Sequence, residues 1–210
     1  MLHWSTLGEE RKALLKILVD NMPLPGSYLA GGTALALILG HRQSIDLDWF
    51  CADHFDPEQL AWQLSSLKTF ETSDAAKGTL HGIFSGMRLT WLYYPNPLLD
   101  DFITTADMPA LKLASLKDIA VMKLAALSHR GSAKDFVDLY VLAKHNISLR
   151  QINKSFRGQV LKYCFFLPTF KFLHCKTTPV TRAAKLRAMK SHFRKVKSGA
   201  RWATTAVSAG

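Results

Sequence analysis

The chain has 210 residues, an apolar fraction of 48%, a charged fraction of 20% and a formal net charge of +11. Such a length builds a real hydrophobic core in one to one and a half domains, and the composition excludes a collagen, a coiled coil or a small disulfide scaffold. The positive balance points to an anionic partner, but it is uneven: residues 1–138 hold all 16 acidic groups and 12 of the 27 Lys and Arg, leaving residues 139–210 with 15 basic residues and no acid.

In chain order, residues 9–21 place Leu14, Leu15, Ile17 and Leu18 at helical spacing before Pro23 and Pro25, which predicts a helix. Residues 27–30 form a short apolar strand running into Gly31-Gly32-Thr33, and residues 34–39 an Ala/Leu-rich helix closed by Gly40. Residues 44–50 alternate polar and apolar side chains and read as a strand. Residues 57–67 begin with Pro57 and read as a helix, proline being well placed at a first helical position. Strands follow at 69–72, 79–84 and 87–94, the last two joined as a hairpin by Ser85-Gly86. After Pro95 and Pro97 the character becomes helical. Ser115-Leu116-Lys117-Asp118 resembles a capping box that opens a helix running to Arg130, and a second helix spans 133–144. A third covers 146–156, beyond which periodicity fades. The expected class is α+β, with a core over 1–108, a helical part over 109–160 and a basic, poorly ordered tail over 161–210.

The compartment signals agree with one another. Glu9, Glu10 and Arg11 stand where a secretory apolar segment would lie. The uncharged stretch 28–40 falls short of the roughly 20 residues of a membrane span. Cys51, Cys164 and Cys175 are odd in number and lack CxxC spacing, and His174 with the last two leaves a zinc site short of a fourth ligand. A reduced cytoplasmic setting without membrane contact is expected.

Chemistry concentrates in residues 29–50, LAGGTALALILGHRQSIDLDWF. On a strand, Asp46 and Asp48 share one face while Ile45, Leu47 and Trp49 share the other. Two adjacent carboxylates suit Mg²⁺, which takes a few carboxylates together with phosphate oxygens and water; the plainer reading is a solvated strand edge. Gly31-Gly32-Thr33 at a helix start lets backbone N–H groups approach a phosphate, or simply makes a tight turn. A P-loop is excluded because its lysine position is Gly32 and Gly26 precedes the strand.

The string GGTALAL-x-LGHR-x-S-x-DLDWF, followed by Arg130-Gly131 and Lys134-Asp135-x-x-Asp138-Leu139, resembles the AbiEii/AbiGii toxin family of nucleotidyltransferases, part of the DNA polymerase β-like superfamily. The likeness covers about residues 14–142 and does not extend into the tail. It implies a polymerase β-like fold and transfer of a nucleoside monophosphate from an NTP by the toxin of a bacterial toxin–antitoxin or phage-defence pair. RNA, the tRNA 3′ end first, is the implied acceptor, and a cognate antitoxin is an implied partner. Residue by residue, it implies that Gly31, Gly32 and Thr33 hold the triphosphate and that Asp46 and Asp48 ligate catalytic Mg²⁺. Lys123 matches a phosphate- or nucleotide-contacting lysine, and Asp135 or Asp138 a late acidic residue. Arg42 and Ser44 belong to the same string, Arg42 as a phosphate-steering group or a solvated loop arginine. For Lys123 the alternative is a solvated helix lysine, and for Lys134, Asp135 and Asp138 a local salt-bridge cluster.

The superfamily usually adds a third carboxylate on a later strand, yet the strands predicted at 79–84 and 87–94 contain no acid. A late helix aspartate completes the site, or the metal set is minimal, or catalytic power is reduced. Two alternatives follow: a protein or small-molecule acceptor, or an inactive nucleotide- or RNA-binding module. The tail reads either as an RNA-gripping arm or as an aberrant C-terminus.

Overall fold

The computed structural model describes residues 1–129, 132–145 and 147. The predicted third helix over 146–156, the tail, Cys164, His174 and Cys175 therefore lie outside the described residues, apart from Ile147.

A five-stranded mixed sheet organises the chain. Its strands are β1 (Tyr28–Ala30), β2 (Leu47–Cys51), β3 (Phe70–Ala76), β4 (Thr79–Phe84) and β5 (Met87–Tyr93), in spatial order β1-β2-β5-β4-β3. Only the β2–β5 pair is parallel. Five α-helices accompany it among the described residues: α1 (Glu9–Asp20), α2 (Gly31–Leu39), α3 (Pro57–Leu67), α4 (Leu116–His129) and α5 (Ala133–Lys144).

One face of the sheet is the core. Leu47 and Trp49 of β2, Leu80 and Phe84 of β4, and Leu89 and Trp91 of β5 are buried there, with Trp49 and Trp91 stacked 5.4 Å apart. Each fully buried large side chain stabilises by about 1.5–3 kcal/mol, and an aromatic pair adds roughly 0.5–1.5 kcal/mol. Helix α2 packs on β1 and β2, and α3 on β3 and β4. The free edge of β1 is covered as well: Leu29 N–H donates to Lys112 O and Ala114 N–H to Leu29 O, both at 2.9 Å. This joins residues 112–114 to the sheet and directs α4 back toward α2.

Local chemistry explains the element ends. Asp56 caps α3 by accepting from the backbone of Glu58 and Gln59, ahead of Pro57. Ser115 Oγ accepts from Asp118 N–H at 3.1 Å, as a capping box requires. The reciprocal carboxylate instead accepts from Ser115 Oγ–H (2.6 Å) and from the backbone N–H of Leu99 (2.7 Å), anchoring the preceding loop to α4.

Three expected boundaries move. The strand expected from Ser44 begins at Leu47, so Ile45 is exposed instead of sharing the buried row of Leu47 and Trp49. Helix α2 starts at Gly31, before the expected Ala34. Strand β3 runs on to Ala76, although almost every side chain along it is exposed, because β4 pairs with it throughout; a register shift lies between Thr72 and Asp74.

Candidate active site

Asp48 lies on β2, on the sheet face opposite the Trp49 core, and Asp46 immediately precedes the strand; both are half-buried. Thr33 holds this approach in place. Its buried hydroxyl donates to the Asp46 carbonyl oxygen and lies 2.8 Å from Ser44 Oγ. Thr33 and Ser44 thus support Asp46 from below. The bonds also explain why the strand starts late, since the Asp46 carbonyl is turned toward α2.

The paired glycines are required by what passes over them. Gly31 has φ +68°, a left-handed conformation that disfavours a side chain, and a Cβ there would collide with Asp48 Oδ2. A Cβ on Gly32 would collide with Arg42 Nη2 and come 3.6 Å from Asp138 Oδ2. Sequence reasoning assigns both glycines to phosphate approach or a turn; the structure adds that each makes room for a charged group of the site.

Arg42 and Asp138 form the centre of a charge cluster. Arg42 donates to both oxygens of Asp138, Nε at 2.8 Å and Nη2 at 3.0 Å. His41 Nε2 donates to Oδ1 at 2.9 Å, and Lys123 Nζ lies 2.6 Å from Oδ2. Lys123 also donates to Asp135 Oδ1 at 3.1 Å, while Ser132 Oγ–H donates to the other oxygen at 2.7 Å. Both aspartate side chains are fully buried, and Lys123 nearly so. Burial alone would raise the Asp138 pKa, but the bonds from His41, Arg42 and Lys123 outweigh it and hold the carboxyl well below its usual range.

The solvated-lysine alternative for Lys123 is thereby excluded, and so is a surface cluster around Lys134. Lys134 is exposed, whereas Asp135 and Asp138 turn inward to α4 and α2. The two late acids are distinct: Asp138 joins three elements, and Asp135 secures Lys123 and the start of α5. His41, part of the motif string, acquires a role that its residue type alone did not announce.

Could these residues hold a divalent cation? Asp46 Oδ1 is buried and has no hydrogen-bond partner among the described residues. An uncompensated buried carboxylate oxygen is costly, and a cation is the partner that would satisfy it. No group of three or more His, Cys, Asp or Glu suited to a metal occurs among the described residues. A pair of carboxylates that leaves further positions to substrate and water fits Mg²⁺. On the same face of the sheet, Tyr28 stacks on Phe50 and meets Phe102 at a tilt, and burial, followed by the neighbouring Tyr94, Asp118 and Cys51, pushes its phenol pKa up.

Strands β4 and β5 carry no acid, as their sequences imply. Opposite Asp48 on the parallel partner strand stands Thr90, and opposite Thr90 on β4 stands His81, whose Nδ1 is 3.0 Å from Thr90 Oγ1. The longer β3 brings Asp74 to the register of His81. Sequence reasoning missed Thr90 and His81; the available signal was their outward position in two strands that otherwise alternate with buried residues.

The small mixed sheet, the Gly-Gly helix start and the Asp-x-Asp strand define a nucleotidyltransferase. The sequence matches the family described as nucleotidyl transferase AbiEii toxin of type IV toxin–antitoxin systems over residues 90–206. The chain belongs to this family. The match continues through the basic segment, past the expected limit near residue 142. An uncharacterised protein of Aquifex aeolicus (strain VF5), aq_aa25, is 36% identical over 149 residues, 70% of this chain and 71% of the relative. The fold is similar to the antibiotic-resistance factor ANT(2″)-Ia, with 16% identity, a TM-score of 0.54 and coverage of 73% of this chain and 92% of the other. A second structure of ANT(2″)-Ia, in complex with adenylyl-2″-tobramycin, gives 14% identity, a TM-score of 0.52 and coverage of 72% and 97%. No described helix is long and apolar enough to cross a membrane.

Proposed function

We propose that this nucleotidyltransferase is the toxin of a type IV toxin–antitoxin pair and that it transfers a nucleoside monophosphate from an NTP to RNA, with the tRNA 3′ end as the first acceptor to test. The observation that carries the reading is the buried, unpartnered oxygen of Asp46, two residues before Asp48, whose carboxylate lies against Gly31. Asp46 and Asp48 would hold Mg²⁺, which when bound supplies positive charge to the attacking and leaving oxygens. The backbone N–H groups of the first turn of α2, which has no side-chain cap, face phosphate oxygens. Arg42 and Lys123 supply fixed positive charge beside them, held in position by Asp138 and Asp135 so that little reorganisation is needed. An acceptor hydroxyl then attacks the α-phosphate in line and pyrophosphate leaves. The 15 basic residues beyond Asp138 support an RNA acceptor, since Lys and Arg contacts to phosphate release counterions.

The test is incubation of the full chain with each labelled NTP, Mg²⁺ and total cellular RNA or protein. Label in tRNA that disappears in Asp46→Ala with Asp48→Ala supports the reading. Label in protein or in a small molecule moves the acceptor assignment, and binding without turnover for all four nucleotides rejects the enzymatic reading in favour of a binding module.

A further inference from the structure

On the face of the sheet away from the core, one cross-strand row is polar over four adjacent strands, Asp48 on β2, Thr90 on β5, His81 on β4 and Asp74 on β3, with Ala30 at its β1 end. The rows on either side are different. One carries Phe50, Leu92, Thr79 and Ala76, and the other Arg88, Ile83 and Glu71. Paired residues in a sheet point to the same side, and neighbouring strands lie about 4.8 Å apart. Thr90 is therefore the immediate neighbour of Asp48, and His81 stands one strand further along the same surface. The imidazole leans back toward β2, because its Nδ1 bonds Thr90 Oγ1 at 3.0 Å. Its Nε2 makes no hydrogen bond among the described residues, and both side chains are only half-buried.

A ring nitrogen that is open, on an imidazole oriented by a second residue, is the arrangement a general base needs. We propose that His81, oriented by Thr90, receives the proton of the incoming acceptor hydroxyl; the proposal rests on the nucleotidyl-transfer reading above. The acceptor O–H bond breaks and its proton goes to His81 Nε2. The electron pair of that oxygen forms the new bond to the α-phosphorus. The bond from the α-phosphorus to the bridging oxygen breaks with its own pair, and pyrophosphate departs. Thr90 Oγ1 accepts from Nδ1–H throughout, which keeps Nε2 as the receiving atom and stabilises the imidazolium. No strand acid is required, which accounts for active-site chemistry on a sheet whose β4 and β5 have none.

The groups facing His81 are few. From β5 they are Thr90 and, one pair along, Arg88. From β3 they are Asp74 and Glu71, and Asp48 lies beyond Thr90. Helix α3, which packs on β3 and β4, buries Leu60 and Leu64 and brings no buried charge to them. The competing explanation is a cross-strand polar pair that only stabilises the sheet.

Two measurements on the full chain decide between them. The first compares pH–rate profiles of nucleotidyl transfer for the wild type, His81→Gln and Thr90→Val, with melting temperatures alongside. The wild type should show an acidic limb in kcat. His81→Gln should lose that limb and fall about 100-fold in kcat at neutral pH with the KM for NTP within about twofold, since a positioned base contributes 10²–10⁴-fold. Thr90→Val should lower kcat by a smaller factor and displace the limb. The second does not depend on turnover: Mn²⁺ with a non-hydrolysable NTP should broaden the His81 imidazole NMR resonances in the wild type and leave them sharp in Asp48→Asn. A wild-type limb and kcat within twofold in folded His81→Gln would overturn the proposal while leaving nucleotidyl transfer intact, and unbroadened His81 resonances would overturn it too. A wild type that labels no acceptor defeats the functional reading itself.

Discussion

Asp46 and Asp48 on the sheet side of the site, and Asp135 and Asp138 on the helix side, carry the same carboxylate in opposite surroundings. On the sheet side a buried Asp46 oxygen lacks a hydrogen-bond partner, and the Asp48 carboxylate lies where a Cβ on Gly31 would collide with it. On the helix side every described charge is met: Asp138 by His41, Arg42 and Lys123, and Asp135 by Lys123 and Ser132. The contrast separates two tasks. On the sheet side one Asp46 oxygen is left for a cation to satisfy, while the helix-side acids hold Arg42 and Lys123 in place. Stability and chemistry should therefore respond to mutation in opposite order on the two sides.

The largest stability effect is expected at Asp138. Asp138→Ala leaves Arg42 and Lys123 without their shared counter-charge in a buried setting, and should cost about 3–5 kcal/mol in urea unfolding. A loss below 1 kcal/mol would break the comparison. The same residue governs acid stability. Its folded-state pKa lies below the unfolded value, so its contribution is present above the ordinary carboxylate range and is lost as pH falls through the folded value. Asp138→Asn should accordingly flatten the decline in stability below about pH 5 relative to wild type.

Gly31→Ala comes next, at about 1–3 kcal/mol, from the left-handed backbone and the collision with Asp48. The cost should shrink when Asp48 is shortened to Ser, and a double-mutant cycle measures that coupling. Ser115→Ala removes the α4 cap, with a loss of about 1 kcal/mol. The smallest stability loss is expected on the sheet side. Asp46→Asn with Asp48→Asn should cost no unfolding free energy, and relief of the uncompensated Asp46 oxygen should raise it by about 1 kcal/mol, while transfer activity falls by roughly 100-fold or more. If both pairs of acids respond alike, the division of tasks is wrong.

Much of this was legible beforehand, where local chemistry decides. Helices α3 and α5 span the residues that Pro57 and the Ala133 periodicity indicate, because caps and prolines act within one turn. The start of β2 was not, because it is set by a hydroxyl on another element, Thr33, bonding the Asp46 carbonyl. The extent of β3 was hidden for a related reason: its exposed side chains give no alternation, and only pairing with β4 defines it. The motif residues converge as expected, yet nothing in an aspartate's letter distinguishes Asp46, short of a partner, from Asp138, which has three. That difference depends on which cations the folded chain brings near, and His81 beside Thr90 is hidden by the same non-locality.

The Arg42–Asp138 clamp joins residues 96 positions apart. On the ribosome the Gly-Gly turn and the Asp-x-Asp strand therefore emerge well before the acid that locks them. At typical elongation rates that interval is about 5–20 s. Throughout it Arg42 and His41 have no Asp138 to meet, so the phosphate end of the site cannot take its final form. For a member of a toxin family this sets an order of events in time: Asp46 and Asp48 are made first, and the charge cluster beside them is completed only with α4 and α5.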